Sequence, residues 1–205
     1  MAISLLRDDL SPSQSDDLIH FTGRNSARRP DWVDEDIRKM TAKERLAAIV
    51  RGGRMKTFAP YGGGTMRCAC FSEANPEHLS YLLGKRRYLP FGIVVTRSQV
   101  LAKGGGTVAY IHNELTLEEF TRAKLGHWVV RTEYDSDWTH EREWRIPWKH
   151  TQIRWDELRA ILVPNTTWRP VPAGEELPEL WVKSPIWVWN SKTSKAEEYA
   201  PGTLV

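Results

Sequence analysis

Residues 140–146 read His140-Glu141-Arg142-Glu143-Trp144-Arg145-Ile146, and two incompatible structures can be drawn through them. A His-Glu-x-x-His helix would put two imidazoles on one face for zinc, but the fifth position is Trp144 and the second ligand is missing. Read as a strand, the alternation places Glu141, Glu143 and Arg145 on one face. Two carboxylates on one face repel, so a strand of this kind asks for a reason. A carboxylate pair beside an arginine suits general base work or the stabilisation of an oxocarbenium cation. It suits equally an exposed charged edge strand with a cross-strand salt bridge.

Working outward, the second half of the chain reads mostly as strands, at 128–131, 143–146, 160–163 and 186–189, punctuated by Pro147, Pro164, Pro170, Pro172, Pro178 and Pro185. The first half mixes strands with helices. Short strands are expected at 18–21 and 67–72, a near-continuous apolar strand at 91–96, and another strand at 107–111. Thr41 with Glu44 forms a capping box that opens a helix carrying Leu46, Ile49 and Val50 and closing at Gly52-Gly53. Asn75-Pro76 opens a second helix, with Leu79, Leu82 and Leu83, that stops at Gly84. Residues 98–103 form a helical turn closed by Gly104-Gly105-Gly106, and Thr116 with Glu119 opens a helix running to Leu125. Helices early and strands late argue an α+β fold rather than a repeated βαβ unit. Residues 1–16, polar and rich in Ser, Pro and Asp, read as a flexible N-terminal arm, and 17–205 as a single domain.

The chain has 205 residues, enough to bury a core without staples. It carries 29 Lys and Arg against 26 Asp and Glu, a net charge of +3 that permits a nucleic-acid partner without demanding one. No apolar run approaches the roughly 20 residues of a membrane span. Ten tryptophans mark an aromatic-rich core or a stacking surface, and Trp181, Trp187 and Trp189 are expected to complete the core. The two cysteines, Cys68 and Cys70, share a strand face and lack the second pair a zinc site needs. The N-terminus has no basic, apolar leader, and a reducing cytoplasmic setting fits both features. P-loop, nucleophile-elbow and dinucleotide-fingerprint motifs are missing, so the common NTPase, hydrolase and dehydrogenase classes lose their footing.

Four further groups of residues carry chemistry. His20, in Leu18-Ile19-His20-Phe21-Thr22-Gly23, could hydrogen-bond a sugar or phosphate, or could be a half-buried histidine satisfied by backbone. Cys70-Phe71-Ser72-Glu73 could form a small polar pocket with a stacking wall, or Ser72 could cap the helix near Asn75. The apolar strand Phe91-Gly92-Ile93-Val94-Val95-Thr96 delivers Arg97 to its end, where a guanidinium suits a phosphate or a surface ion pair. The basic residues Arg24, Arg28, Arg29 and Lys85-Arg86-Arg87, beside Tyr88, could bind phosphates or form a solvated face.

The ordered set His-Phe-Thr-Gly, Cys-Phe-Ser-Glu, Phe-Gly-Ile-Val-Val-Thr-Arg, Gly-Gly-Thr-Val-Ala-Tyr and Glu-Arg-Glu-Trp-Arg resembles the abortive-infection (AbiGi-like) phage-resistance proteins. More distantly it is similar to the ADP-ribosyltransferase superfamily, including DarT-type toxins that modify DNA. The resemblance covers roughly His20 to Pro147. It implies a split β-sheet core clasping NAD, with helices on the N-terminal side. His20 would contact a ribose of NAD, Thr22, Gly23 and Ser72 would line the same site, and Arg97 would hold the pyrophosphate. Phe71, Tyr88, Phe91 and Tyr110 compete for the aromatic place on the nicotinamide, with Phe71 favoured. Glu143 would stabilise the oxocarbenium and Glu141 would activate the acceptor, with no metal required. The implied function is an NAD-dependent ADP-ribosyltransferase, a phage-defence or toxin-type enzyme modifying nucleic acid or protein, with a possible cognate antitoxin. The alternative is a non-catalytic, antitoxin-like subunit that binds a partner or nucleic acid. A metal-dependent nuclease using Glu141 and Glu143 is a third reading.

Overall fold

A computed structural model of the chain describes residues 14–23, 33–60, 66–86, 88–133 and 138–205. Along the chain run β1 (Asp17–Phe21), α1 (Glu35–Lys39), α2 (Ala42–Gly52), β2 (Arg54–Lys56), β3 (Cys68–Glu73), α3 (Pro76–Gly84), β4 (Gly92–Thr96), α4 (Arg97–Ala102) and β5 (Gly106–Thr107). There follow β6 (Ala109–Ile111), α5 (Glu114–Arg122), β7 (Val129–Arg131), β8 (Glu143–Pro147), β9 (Gln152–Arg154), β10 (Ala160–Val163), α6 (Glu179–Lys183), β11 (Ile186–Asn190) and β12 (Lys195–Tyr199). The architecture is mixed α and β. Eight strands form one continuous sheet in the order β12-β11-β10-β4-β1-β3-β8-β5, where the resemblance implies a split one. Two short pairs, β2 with β9 and β6 with β7, stand apart from it. Among the described residues no helix is long and apolar enough to cross a membrane.

Burial explains the strand order. In β1, Leu18 and Ile19 are both fully buried although they point to opposite faces, so this strand has to be covered on both sides. β4 up to Val95 and the whole of β10 are apolar and equally enclosed. These strands occupy the middle, and each fully buried aliphatic side chain there contributes about 1.5–3 kcal/mol. The first face holds Leu18, Phe71, Ile93, Val95, Trp144 and Ile146 under α2 and α6. The second holds Ile19, Val94, Ala160 and Leu162 under Leu79 and Leu82 of α3. Pairing is antiparallel in the large sheet except between β10 and β11, which are parallel and joined by a crossover through α6.

Helices do concentrate early, with α1–α5 all before residue 123 and mostly strands after them, but the sheet is not built from the late strands alone. β1, β3 and β4 all come from the first half and lie at the centre, and α6 comes from the tail. The C-terminal segment supplies the β10-β11-β12 end of the sheet. Trp181 is buried in the first face, and Trp187 and Trp189 pack half-buried on the second.

The Thr41–Glu44 capping box is present, and α2 closes at Gly53 in the left-handed region with φ +58°. Asn75 caps α3 by accepting from the His78 backbone N–H at 2.8 Å, so Ser72 is not that cap. The capping box expected at Thr116 is displaced. Asn113 accepts from the Thr116 N–H at 3.0 Å, and the helix runs Glu114–Arg122. Asparagine is the stronger cap, and the earlier residue takes the role. The strand expected at 107–111 breaks in two, β5 pairing with β8 and β6 with β7. The Tyr61–Thr65 glycine-rich loop and residues 1–13 of the N-terminal arm lie outside the described residues.

The close approach of β4 to β1 depends on Gly92, where an added Cβ would sit 2.7 Å from the His20 carbonyl oxygen. Gly92→Ala should therefore cost about 1–3 kcal/mol in urea unfolding. An unchanged unfolding midpoint would show that the two strands can separate freely at this point.

Candidate functional site

The expected site residues fall on two faces of one sheet. Ile19 pairs with Ser72, and Ser72 with Glu143, so these three share a face. Ile19 belongs to the second face, which assigns Ser72 and Glu143 there as well. His20 follows Ile19 and points the other way, and its ring meets the edge of Phe71 at 5.9 Å on the first face. His20 and Glu143 are thus separated by the sheet.

On the second face, Glu143 is held by its own strand. Arg145 Nε donates to Glu143 Oε1 at 2.8 Å and Nη2 to Oε2 at 3.0 Å, a fork-to-fork pair. The remaining Nη1 donates to the carbonyls of His127 and Val129, at 2.8 and 3.1 Å. Burial would lower the Arg145 pKa, and the Glu143 carboxylate more than offsets this, leaving it raised. The cross-strand salt bridge on an exposed edge is therefore replaced by a buried pair two residues apart, on a strand flanked by β3 and β5. Tyr110 accepts a hydrogen bond from the Glu143 backbone N–H at 2.6 Å, and burial raises its phenol pKa.

Glu141 is not on the strand. Thr139–Glu141 forms a 3-10 turn, and Arg142 takes φ +46°, which breaks the alternation before Glu143. Glu141 Oε1 accepts instead from the Tyr88 hydroxyl at 2.8 Å, and Tyr88 packs on Phe21 with ring centroids 4.5 Å apart. Both belong to the second face, so Glu141, Glu143, Ser72, Tyr88 and Phe21 gather on one side. Cys68 and Cys70 line the same face and are free thiols. Burial pushes Cys68 up to about 11; Cys70 is held well above the usual value, first by burial and then by the Glu143 carboxylate. Among the described residues no group of three His, Cys, Asp or Glu is placed to hold a metal ion.

On the first face, His20 Nδ1 lies 2.8 Å from the Cys70 carbonyl oxygen, which accepts its proton. Burial lowers the His20 pKa and the nearby Arg45 charge adds to the effect, against the Cys70 bond, so the ring is neutral. Phe71 is almost fully buried, edge-on to Trp155 at 6.0 Å, and works as core rather than as an open stacking wall. Of the other aromatic candidates, Phe91 packs edge-on to Trp168 at 5.8 Å.

Thr22, Gly23 and Arg97 are engaged in holding the fold. The Thr22 hydroxyl donates to the Ala42 carbonyl at 2.7 Å, and a Cβ on Gly23 would lie 2.8 Å from the Ala42 Cβ, so this pair seats the start of α2 on the end of β1. Arg97 is neither at the surface nor open to a phosphate. Its Nη2 donates to Glu73 Oε1 at 2.6 Å, its Nε donates to the Ser15 carbonyl at 2.6 Å, and the guanidinium lies over Trp144. Lys85 and Arg86 are exposed, while Arg24, Arg28, Arg29 and Arg87 lie outside the described residues.

The sequence reading missed the part played by Glu73, Arg145 and Arg45. A strand-end Glu73 and a strand-end Arg97 of opposite charge were a signal for their pairing. Arg145, two residues from Glu143 on one face, was another. Nothing local marks Arg45, whose nitrogens reach the carbonyls of Ile37, Thr22 and Met40 at 3.1, 2.8 and 3.0 Å. Comparison with protein families, with curated proteins and with solved structures returns no match.

Arg97→Ala strands the buried Glu73 charge and should cost roughly 3–5 kcal/mol in urea unfolding. A variant of full stability that had lost phosphate or nucleic-acid binding would return Arg97 to ligand duty. The burial of His20, His78 and His127 lowers the pKa of each, so the folded protein holds them neutral while the unfolded chain protonates first. Their contribution to stability is complete above the ordinary histidine value of 6.5 and is lost as pH falls below it toward the folded values. The urea midpoint should therefore drop between pH 7 and pH 5, and a flat profile would contradict the assignment.

Proposed function

We propose that this chain works as a non-catalytic binding subunit, of the antitoxin-like kind the abortive-infection resemblance implies, engaging a macromolecular partner. The observation that carries this reading is the placement of His20 and Glu143 on opposite faces of the sheet. A transferase that uses a ribose-contacting histidine together with a carboxylate needs both at one NAD molecule. The engagement of Glu143 supports the same conclusion. Stabilising an oxocarbenium calls for a negative charge aimed at the ribose. Here both carboxylate oxygens already accept from Arg145.

A second reading keeps ADP-ribosyl transfer but drops the histidine. It is favoured by the gathering of Glu141, Glu143, Ser72 and the Tyr88–Phe21 pair on the second face. In that reading Glu143 would have to exchange Arg145 for the ribose.

One assay separates the two. Nicotinamide release from NAD is followed with the purified chain and with Glu143→Gln, each checked for native circular dichroism, alone and with DNA, RNA or protein acceptors. The binding-subunit reading expects no release above buffer and no difference between the two proteins. Release that disappears in Glu143→Gln would overturn it in favour of the transferase, and the acceptor that accelerates release would identify the substrate.

A further inference from the structure

The first face of the sheet carries an open cavity of about 710 Å³, lined by residues of β1, β3, α1, α2 and β2. Its volume lies within the range of small-molecule sites. The walls are mostly apolar, formed by Ile37, Met40, Ile49, Met55 and Phe58. His20 lines it from the sheet.

His20 is the feature that points to a ligand. The Cys70 carbonyl can only accept, so the imidazole proton is on Nδ1 and the other nitrogen, Nε2, presents a lone pair. Nε2 has no hydrogen-bond partner among the described residues. His20 is half-buried and Nε2 opens into the cavity, so a donor on a ligand can take the place of solvent there and be oriented by it.

Two of the cations among the described lining residues, Arg45 and Lys56, are already committed. The three guanidinium nitrogens of Arg45 go to the carbonyls of Ile37, Thr22 and Met40. Lys56 Nζ is shared between Asp34 and Asp36, at 3.2 and 2.8 Å. Arg54 reaches the cavity from an exposed position at its edge. Among the described residues, the cations on the cavity wall other than Arg54 at its edge are already paired, so a ligand bearing phosphates finds little to hold it in the interior. A flat, apolar molecule with one N–H or O–H finds walls to bury against and one acceptor to orient it.

We infer that this cavity binds an uncharged, largely apolar small molecule of bicyclic aromatic size or larger, which donates a single hydrogen bond to His20 Nε2. The inference stands apart from the binding-subunit reading, because neither Glu143 nor a macromolecular partner enters it.

Indole and 1-methylindole are the probes, since they differ at the donor. Each is titrated calorimetrically into the intact chain. The expected result is saturable binding of indole with roughly a five-fold preference over 1-methylindole, the size of one net neutral hydrogen bond. This comparison needs no variant and so cannot be confused with misfolding. In His20→Phe, checked for native circular dichroism, the preference should vanish while both probes still bind. Ala48→Trp, which projects a large side chain from α2 into the cavity, should weaken both. Absence of saturable binding to the unaltered chain, equal affinities for the two probes, or a preference that survives His20→Phe would each overturn the proposal.

Discussion

A single buried carboxylate ties the ends of the central strands together. Glu73, at the end of β3, accepts from the Ser15 backbone N–H at 2.9 Å, from Arg97 Nη2 at 2.6 Å and from Trp144 Nε1 at 3.0 Å. Those donors come from the segment entering β1, from the β4–α4 junction and from β8. Leaving such a charge unpaired in the interior would cost several kcal/mol. The four strands must therefore finish at the same place. The Arg97 backbone N–H also donates to the Asp16 carbonyl at 3.0 Å, closing the same knot. β1 is first in the chain yet central in the sheet, and this cluster fixes where it enters between β3 and β4.

Once β1 is fixed, alternation distributes the chemistry. Consecutive residues of a strand face opposite ways, so His20 and Ile19 part company, and Ser72 and Glu143 follow Ile19 through the strand pairing. The result is a molecule with two different sides. One has carboxylates, thiols and a tyrosine around the Glu143–Arg145 pair. The other has a neutral imidazole at the base of an apolar cavity. A site that draws on both sides would have to pass through the sheet, which is why the separation bears so directly on function.

Much of this was legible in the sequence. The strands at 18–21, 160–163 and 186–189 and the capped starts of α2 and α3 follow from apolar patterning and side-chain caps, which are local effects. β2, β9 and β12 were not legible: they are short, carry charged residues such as Arg54, Arg154 and Lys195, and exist through their pairing partners. Glu141 was misassigned to the strand because nothing in the residue types marks the left-handed turn at Arg142, which interrupts the alternation.

The sequence by itself determined which segments must be buried on both faces, where the helices begin, and that His20, Glu143, Glu73 and Arg97 are positions of chemical weight. Only the tertiary structure decided what each does. Whether a strand-end arginine meets solvent, a ligand or a buried glutamate depends on which strands become neighbours. That order is set by long-range burial and pairing, to which the local sequence is blind. Arg97 and Glu73 became an internal lock because β3 and β4 flank β1. His20 and Glu143 came to lie on opposite sides because the register across β1, β3 and β8 carries one parity through the sheet.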